Sequence, residues 1–124
     1  MPTPASYEYA WLRVVPRVET GEFVNVGVIL FCRTLRFMDL RINCNRARIA
    51  ALAPRMDLDE LDRQLALLPA LVAGKGPVGG LGTAEVFHWI VAPHSTVLQS
   101  SPVHAGITTD PAAALERLAA TLHE

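Results

Sequence analysis

The chain has 124 residues, of which 51% are hydrophobic, and its mean hydropathy is +0.28. This length suits one domain spanning residues 1–124, and the apolar content is enough for a packed core, which excludes a disordered chain. Its 11 basic and 12 acidic residues give a net charge of −1. Proteins that bind nucleic acid or anionic membranes usually carry clustered positive charge, so neither partner is expected here.

Nothing in the sequence predicts a membrane span or a secretion signal. The longest apolar run, residues 26–32, is far shorter than the ~20 residues that cross a bilayer. The first six residues lack a basic region followed by an apolar stretch, which a signal peptide requires. We therefore expect a cytoplasmic protein in which Cys32 and Cys44 stay as reduced thiols.

Two strands are predicted in the N-terminal quarter of the chain. Residues 7–14 alternate in a pattern typical of a strand, and Pro16 ends this strand, places it at an edge or introduces a bulge. After turn residues at 19–22, residues 24–31 are almost continuously apolar, which indicates a central strand buried on both faces. Gly27 within that run predicts a bulge or the close approach of another backbone.

A third strand is predicted at residues 36–42, after a short turn. Three sequential strands with short connections form an antiparallel meander. With the helices that follow, the sequence predicts an α+β fold, in which helices pack on an antiparallel sheet of three to four strands.

Helical patterns occupy the middle of the chain. Asn45 is a suitable N-cap for a short helix that reaches residue 52, and Asp57 with Glu60 forms a capping pattern for a second helix. Leucines recur in this second helix at spacings of three and four, which predicts one apolar side. Pro69 kinks the helix or ends it early.

A glycine-rich segment at residues 74–82 separates the two halves of the chain. Glycine-rich turns bind phosphate when a strand leads into them, or when Lys and Ser or Thr follow the last glycine. Here Lys75 precedes most of the glycines and the preceding element is a helix. A flexible internal loop is the favoured interpretation.

The last third is predicted to hold two helices and one strand. A helix over residues 84–92 follows a Thr83 cap, residues 95–100 predict a fourth strand, and residues 102–109 are expected to be irregular. An Asp-Pro pair at 110–111 begins a final helix that extends to about residue 122.

Polar side chains concentrate in residues 94–106, where His94, Gln99, Ser101 and His104 are candidates for ligand binding. Hydroxyls, amides and imidazoles orient polar ligands, but they also satisfy the main chain in turns, and turn chemistry is favoured. A Ser101–His104 nucleophile pair lacks an identified carboxylate and oxyanion hole. The histidines and cysteines show no metal-ligand spacing, so no metal is expected.

The tip of the first hairpin holds four further candidate ligand-binding residues, Arg13, Arg17, Glu22 and Asn25. Charges at a hairpin end are usually solvated, and an amide beside a turn most often bonds to the backbone and fixes the register. If the hairpin and the fourth strand share one sheet, this tip and residues 94–106 are expected to lie at one end of it.

Three stretches resemble one known family: residues 9–17 (YAWLRVVPR), 21–32 (GEFVNVGVILFC) and 87–106 (FHWIVAPHSTVLQSSPVHAG). The family is a small bacterial one known only as domain of unknown function number 3037, and the resemblance extends from Tyr7 to Leu118. It implies no reaction and no catalytic residues. It does imply a partner, because genes of the family often lie beside one for a kinase-like protein of the HipA type.

The favoured functional hypothesis is a non-enzymatic accessory domain that binds another protein, either this kinase-like neighbour or a second copy of itself, without a cofactor. The alternative is a small-molecule or nucleotide-binding enzyme that uses residues 94–106, with Arg13 or Arg17 for an anion. Such an enzyme is expected to have a concave pocket around these groups. A DNA-linked, antitoxin-like regulator ranks third, because no helix-turn-helix pattern is present.

Overall fold

The structure, a computed structural model, describes residues 3–73, 82–92 and 98–123. Within them five strands form one antiparallel sheet: β1 (Ala5–Arg17), β2 (Glu22–Cys32), β3 (Phe37–Ile42), β4 (Leu98–Ser100) and β5 (His104–Thr108). The helices are α1 (Arg46–Leu52), α2 (Leu58–Val72), α3 (Thr83–Val91) and α4 (Pro111–Ala120), with 3-10 turns at Val18–Thr20 and Thr121–His123. The predicted α+β class with an N-terminal meander is confirmed.

The long first strand organises the sheet, whose order is β3–β2–β1–β4 with β5 also paired to β1. One side of β1 pairs with β2 along most of its length. The other side is shared, since β5 pairs with residues 5–9 of β1 and β4 pairs with residues 12–14. Near Pro16 the β1–β2 register shifts between Val14 and Arg17, so the strand bulges there, which is one of the outcomes predicted for a proline.

The second strand is the buried centre of the sheet, as its apolar run predicted. Every residue from 26 to 32 is buried, and β1 and β3 flank the strand on its two sides. A Cβ on Gly27 would lie 2.9 Å from the carbonyl oxygen of Arg41, and the register with β1 shifts beside it. Both the predicted bulge and the predicted close backbone approach therefore occur at this glycine.

Each face of the sheet has its own hydrophobic core. On one face Leu12, Ile29 and Phe31 pack with apolar residues of α1, α2 and α3. On the other face Val28 and Leu30 pack with apolar residues of α4. Neighbouring residues of β2 thus enter opposite cores, which explains why this strand shows no polar alternation.

The prediction that residues 102–109 are irregular was wrong, because His104–Thr108 forms β5. This strand lies at the sheet edge and most of it is exposed; Ile107, its large apolar residue, is 74% exposed. A short exposed edge strand containing Ala105 and Gly106 carries no periodic apolar signal. Its pairing with β1, almost a hundred residues away in sequence, is what determines its conformation.

Three predicted helix caps are confirmed, each with its side-chain oxygen accepting from the main-chain N–H three residues on. The cap residues are Asn45, Asp57 and Asp110, and the bonds are 3.0, 3.0 and 3.1 Å long. Such caps are local signals, since cap and partner lie within one turn. They were therefore readable without any knowledge of the tertiary structure.

Two details of the helices differ from the sequence prediction or refine it. Thr83 is the first residue of α3, and the N-cap position is taken by Gly82, which makes no side-chain cap bond. Pro69 lies inside the last turn of α2, which continues to Val72. A proline this close to the C-terminal end removes one hydrogen bond without stopping the helix.

The two cysteines lie on opposite faces of the sheet. Cys32 is buried in the core beneath α4, where its Sγ lies 3.5 Å from the Ser6 carbonyl oxygen. Cys44 packs against the other core and is half-buried. Both are free thiols in the structure, as predicted. Across the described ranges, no helix combines the length and apolar character that crossing a membrane requires.

Candidate functional site

Helix α4 covers only part of its face of the sheet. It packs against β2 and β3, and the same face of β1, β4, β5 and the first residues of β2 carries side chains that stay exposed or partly exposed. We call this region the open face; its side chains are Tyr9, Trp11, Arg13, Phe23, Asn25, Gln99 and His104. It contains four of the eight residues that the sequence singled out as candidates for ligand binding.

Strand register places three polar side chains in one row across the open face. Arg13 lies directly opposite Asn25 of β2 and Gln99 of β4. Side chains alternate along a strand, and the neighbours of Arg13, namely Leu12 and Val14, belong to the core on the other side of the sheet. Arg13 therefore projects onto the open face, and the residues opposite it do the same.

The Arg13 guanidinium is held against an aromatic ring. Its Cζ lies 4.0 Å from the centroid of the Phe23 ring, a distance at which the cation is attracted to the ring face. Phe23 is 46% exposed, so one side of this pair faces solvent. Partial burial lowers the pKa of Arg13 from its ordinary value, and the side chain keeps its charge at neutral pH.

A donor and an acceptor in this row lack partners. Within the described residues, neither the buried Arg13 Nε nor the buried Asn25 Oδ1 takes part in a hydrogen bond. Leaving a buried polar group unsatisfied usually costs about 1–3 kcal/mol. Arg13 also has no carboxylate partner among these residues, so its charge is not neutralised within the described chain.

Aromatic side chains continue the open face along β1. The Tyr9 ring centroid lies 6.2 Å from that of Trp11, edge to face, and 5.3 Å from that of His104 on β5. Tyr7 extends the row, and its ring lies so close over Gly106 that any Cβ there would collide with it. The open face is thus an aromatic strip with a polar, positively charged end near the hairpin tip.

Ser101 belongs to the sheet itself and not to the open face. It is buried; its hydroxyl accepts a 2.9 Å hydrogen bond from the Trp11 N–H and donates a 2.8 Å bond to the Pro102 carbonyl. The register shifts by one residue between the two pairings of β1: Leu12 lies opposite Ser100 of β4, whereas Tyr9 lies opposite His104 of β5. A bulge at Ser101–Val103 therefore separates the two strands. The hydroxyl satisfies the main chain at this bulge.

The remaining predicted site residues lie elsewhere or outside the described chain. Glu22 is exposed at the start of β2, opposite Arg17, whose side chain is not described. His94 and the glycine loop over residues 74–81 also lie outside the described residues, and predictions about them stay predictions. No three His, Cys, Asp or Glu side chains in the described ranges lie close enough to hold a metal ion.

Asn25 and His104 share the open face but do not meet. They lie opposite Arg13 and Tyr9 respectively, and four residues along a strand correspond to about 13 Å. Trp11 occupies the position between them. Within the 94–106 segment it is Gln99 that lies opposite Arg13, whereas His104 is separated from the hairpin tip by Trp11.

Sequence reasoning missed the aromatic members of this surface. The alternation of residues 7–14 predicts a strand without assigning Tyr9 or Trp11 to a site, and Phe23 lies between the predicted turn at 19–22 and the predicted strand at 24–31. The position of Tyr9 and Trp11 on the same side as Arg13 follows from alternation along one strand, whereas that of Phe23 depends on the register between β1 and β2. Their exposure does not follow from alternation, because it depends on where α4 lies.

Comparison with known proteins identifies the family but not an activity. No curated protein and no solved structure matches this chain. One family model, described as "Protein of unknown function (DUF3037)", matches residues 9–122, and these include the whole open face. The chain therefore belongs to the DUF3037 family, as the three motifs in its sequence predicted.

Proposed function

We propose that this domain is a non-enzymatic interaction module, and that its open face binds a partner protein through an acidic side chain flanked by apolar residues. One observation carries the proposal. Arg13 is half-buried, rests on the exposed ring of Phe23 and has neither a carboxylate partner nor an acceptor for its Nε among the described residues.

The residue types of the open face support a protein partner. Tyrosine, tryptophan and arginine are enriched at the centres of protein interfaces, where a few of them carry most of the binding energy. Here Tyr9, Trp11 and Arg13 stand on one strand of a sheet, and Tyr9 and Trp11 also pack against the core beneath α4. Anchors held on a rigid element lose little conformational entropy when a partner binds.

The charge of the open face supports an acidic contact. A carboxylate placed over Arg13 would accept from the guanidinium in the bidentate geometry that arginine favours. Asn25 Oδ1 lies beside it as an acceptor for a main-chain N–H of the same segment. The exposed Phe23, which contacts the Arg13 guanidinium, offers an apolar contact beside the polar row.

The HipA-type kinase-like protein implied by the family resemblance is the first partner to test. We expect the purified product of the neighbouring gene to bind this domain in isothermal titration calorimetry. Arg13→Glu should abolish binding, and Phe23→Ala should weaken it by at least about tenfold, as for an interface anchor. Arg55→Glu, which makes the same charge change on an exposed turn between α1 and α2, is the matched control and should bind as the wild type does.

Two outcomes would contradict the proposal. One is the absence of binding between the wild-type domain and the kinase-like protein at concentrations of about 100 μM, a level at which even weak specific complexes form. The other is binding that Arg13→Glu and Arg55→Glu reduce equally, because the interaction would then depend on net charge and not on the open face.

A second candidate function, binding of a small anion or nucleotide, rests on the same unsatisfied Arg13 Nε and on His104 beyond Trp11. It is distinguished by titrating the domain with phosphate and with adenine nucleotides while the amide NMR signals are followed. Saturable shifts confined to β1, β4 and the tip of β2 would favour this function over the protein partner. Uniform small shifts would count against it.

A further inference from the structure

Strand β3 forms one edge of the sheet, and its outer hydrogen-bonding groups can be assigned. The Asn43 N–H bonds to the Val26 carbonyl, and in an antiparallel pair such bonded positions recur at every second residue. Arg41 and Asp39 therefore bond inward to β2, whereas the main-chain groups of Leu40 point out from the sheet. Outward groups of this kind are what an added strand pairs with.

In the monomer these outward groups are capped by the flanking side chains. The Leu40 N–H donates to Asp39 Oδ1 at 2.8 Å, and its carbonyl accepts from Arg41 Nη1 at 2.9 Å. The same two side chains form an ion pair at 2.9 Å, and Arg41 Nε also bonds to Glu116 of α4 at 2.8 Å. We call this arrangement of Asp39, Arg41 and Glu116 the clasp.

The clasp side chains are half-exposed, and their contacts can be replaced by contacts with another chain. The side chains of Asp39 and Arg41 are 44% and 41% exposed, and that of Glu116 is 60% exposed. Exposed ion pairs contribute little net stability, because solvent screens them and because long side chains lose entropy. Opening the clasp therefore costs little if new partners take over the Leu40 groups.

The sequence of β3 is complementary to an antiparallel copy of itself, because Asp39 and Arg41 lie on either side of Leu40. When a second copy of β3 lies antiparallel with Leu40 opposite Leu40, Asp39 of each copy faces Arg41 of the other. The apolar Met38 then faces Ile42 in both directions. Each Leu40 exchanges both main-chain hydrogen bonds with its counterpart, and the Asp39–Arg41 ion pair within each copy is replaced by one between the two copies.

We propose that two copies of this protein associate through their β3 edges in this register, with a two-fold axis that is perpendicular to the sheet and passes between the two Leu40 residues. The result is one continuous sheet across the dimer. Such an axis keeps both α4 helices on one face and both α2 helices on the other, which is the closed symmetry typical of homodimers.

The structure leaves room beside the edge on both faces. A cavity of about 460 Å³ lies on the α4 side between β3 and Glu116, and one of about 480 Å³ lies on the α2 side between β3, Pro69 and Val72. Side chains of a second copy can therefore enter next to β3 without displacing either helix. A second copy fits better than an unrelated strand, because the Asp-Leu-Arg order is matched by its own antiparallel copy.

The proposal is tested by charge reversal in trans. We expect the wild type to sediment as a concentration-dependent dimer in analytical ultracentrifugation. Asp39→Arg places arginine opposite arginine, and Arg41→Asp places aspartate opposite aspartate, so each variant alone should dimerise at least about tenfold more weakly. A mixture of the two should form a heterodimer, because every facing pair is then of opposite charge.

The controls separate this edge from other effects. Circular dichroism and thermal melting establish that both variants fold. Glu116→Gln removes the α4 anchor without altering the facing pairs and should dimerise as the wild type does, and so should Arg13→Glu on the open face. A wild type that stays monomeric at about 1 mM, a level that reveals even millimolar affinities, overturns the proposal. So does a mixture of the two variants that does not associate, or a dimer that Arg13→Glu disrupts and Asp39→Arg leaves intact.

Discussion

Replacing Ser101 with alanine tests the bulge that joins β4 to β5. The Ser101 hydroxyl is the acceptor for the Trp11 main-chain N–H at 2.9 Å and donates to the Pro102 carbonyl at 2.8 Å. Ser101 is only 4% exposed, so water has little access to the site when the hydroxyl is removed. A buried N–H left without an acceptor costs about 1–3 kcal/mol.

We expect Ser101→Ala to lower the free energy of unfolding by about 1–3 kcal/mol and, for a domain of this size, the Tm by roughly 4–12 °C. Urea unfolding measures this as a shift of the midpoint at an unchanged m-value. Hydrogen exchange locates the effect, since the amide of Trp11 should exchange faster while the amides between β2 and β3 keep their protection.

Ser100→Ala is the matched control for this prediction. The Ser100 hydroxyl donates to the Ser101 carbonyl at 2.8 Å and is half-buried, so its removal leaves no buried N–H without an acceptor. The reasoning is refuted if the two variants unfold within about 0.5 kcal/mol of one another, since that is the usual range of surface substitutions. It is also refuted if the Trp11 amide in Ser101→Ala remains as protected as in the wild type.

Three further predictions concern close contacts and one thiol. Gly27→Ala places a Cβ 2.9 Å from the Arg41 carbonyl oxygen, so chemical denaturation should show a loss of about 1–3 kcal/mol. The nearest atoms to a Cβ added by Gly106→Ala belong to the end of the Tyr7 ring; the ring should move aside, giving a smaller loss of stability together with shifted ring signals in NMR. Burial raises the pKa of the Cys44 thiol, outweighing the charge of Arg46. Because the thiolate is the reactive form, its rate of reaction with a disulfide reagent should therefore still rise with pH where an ordinary cysteine has reached its plateau.

Local signals explain which elements of the fold could be predicted from the sequence. The continuous apolar run of β2 indicates a strand that is buried on both faces. The caps at Asn45, Asp57 and Asp110 each act within one helical turn, so they mark the starts of helices in the sequence itself. Strand β5 could not be predicted, because its conformation depends on pairing with a partner far away in sequence. Thr83 was misplaced by one position because a cap residue and a first-turn residue have similar composition.

The candidate site was predicted only as separate residues. Arg13, Asn25, Gln99 and His104 were each named from chemistry, but their common face depends on the register of three strand pairs. That register includes the bulges beside Gly27 and at Ser101, each of which changes which side chain faces which core. The exposure of Tyr9 and Trp11 depends further on the position of α4 over β2 and β3. No short-range sequence pattern predicts where this helix packs.

The shared edge of β1 has a consequence for the order in which the protein folds. The meander of β1, β2 and β3 is made of contacts between neighbours in sequence, and it can form as soon as these strands are synthesised. The other side of β1 waits for β4 and β5, since Trp11 and Ser101 are separated by 90 residues. Contacts of such long range form slowly, because a large loop must close first. We therefore expect nascent chains that end before β4 to expose an unpaired strand edge, the kind of surface on which chaperones act during synthesis.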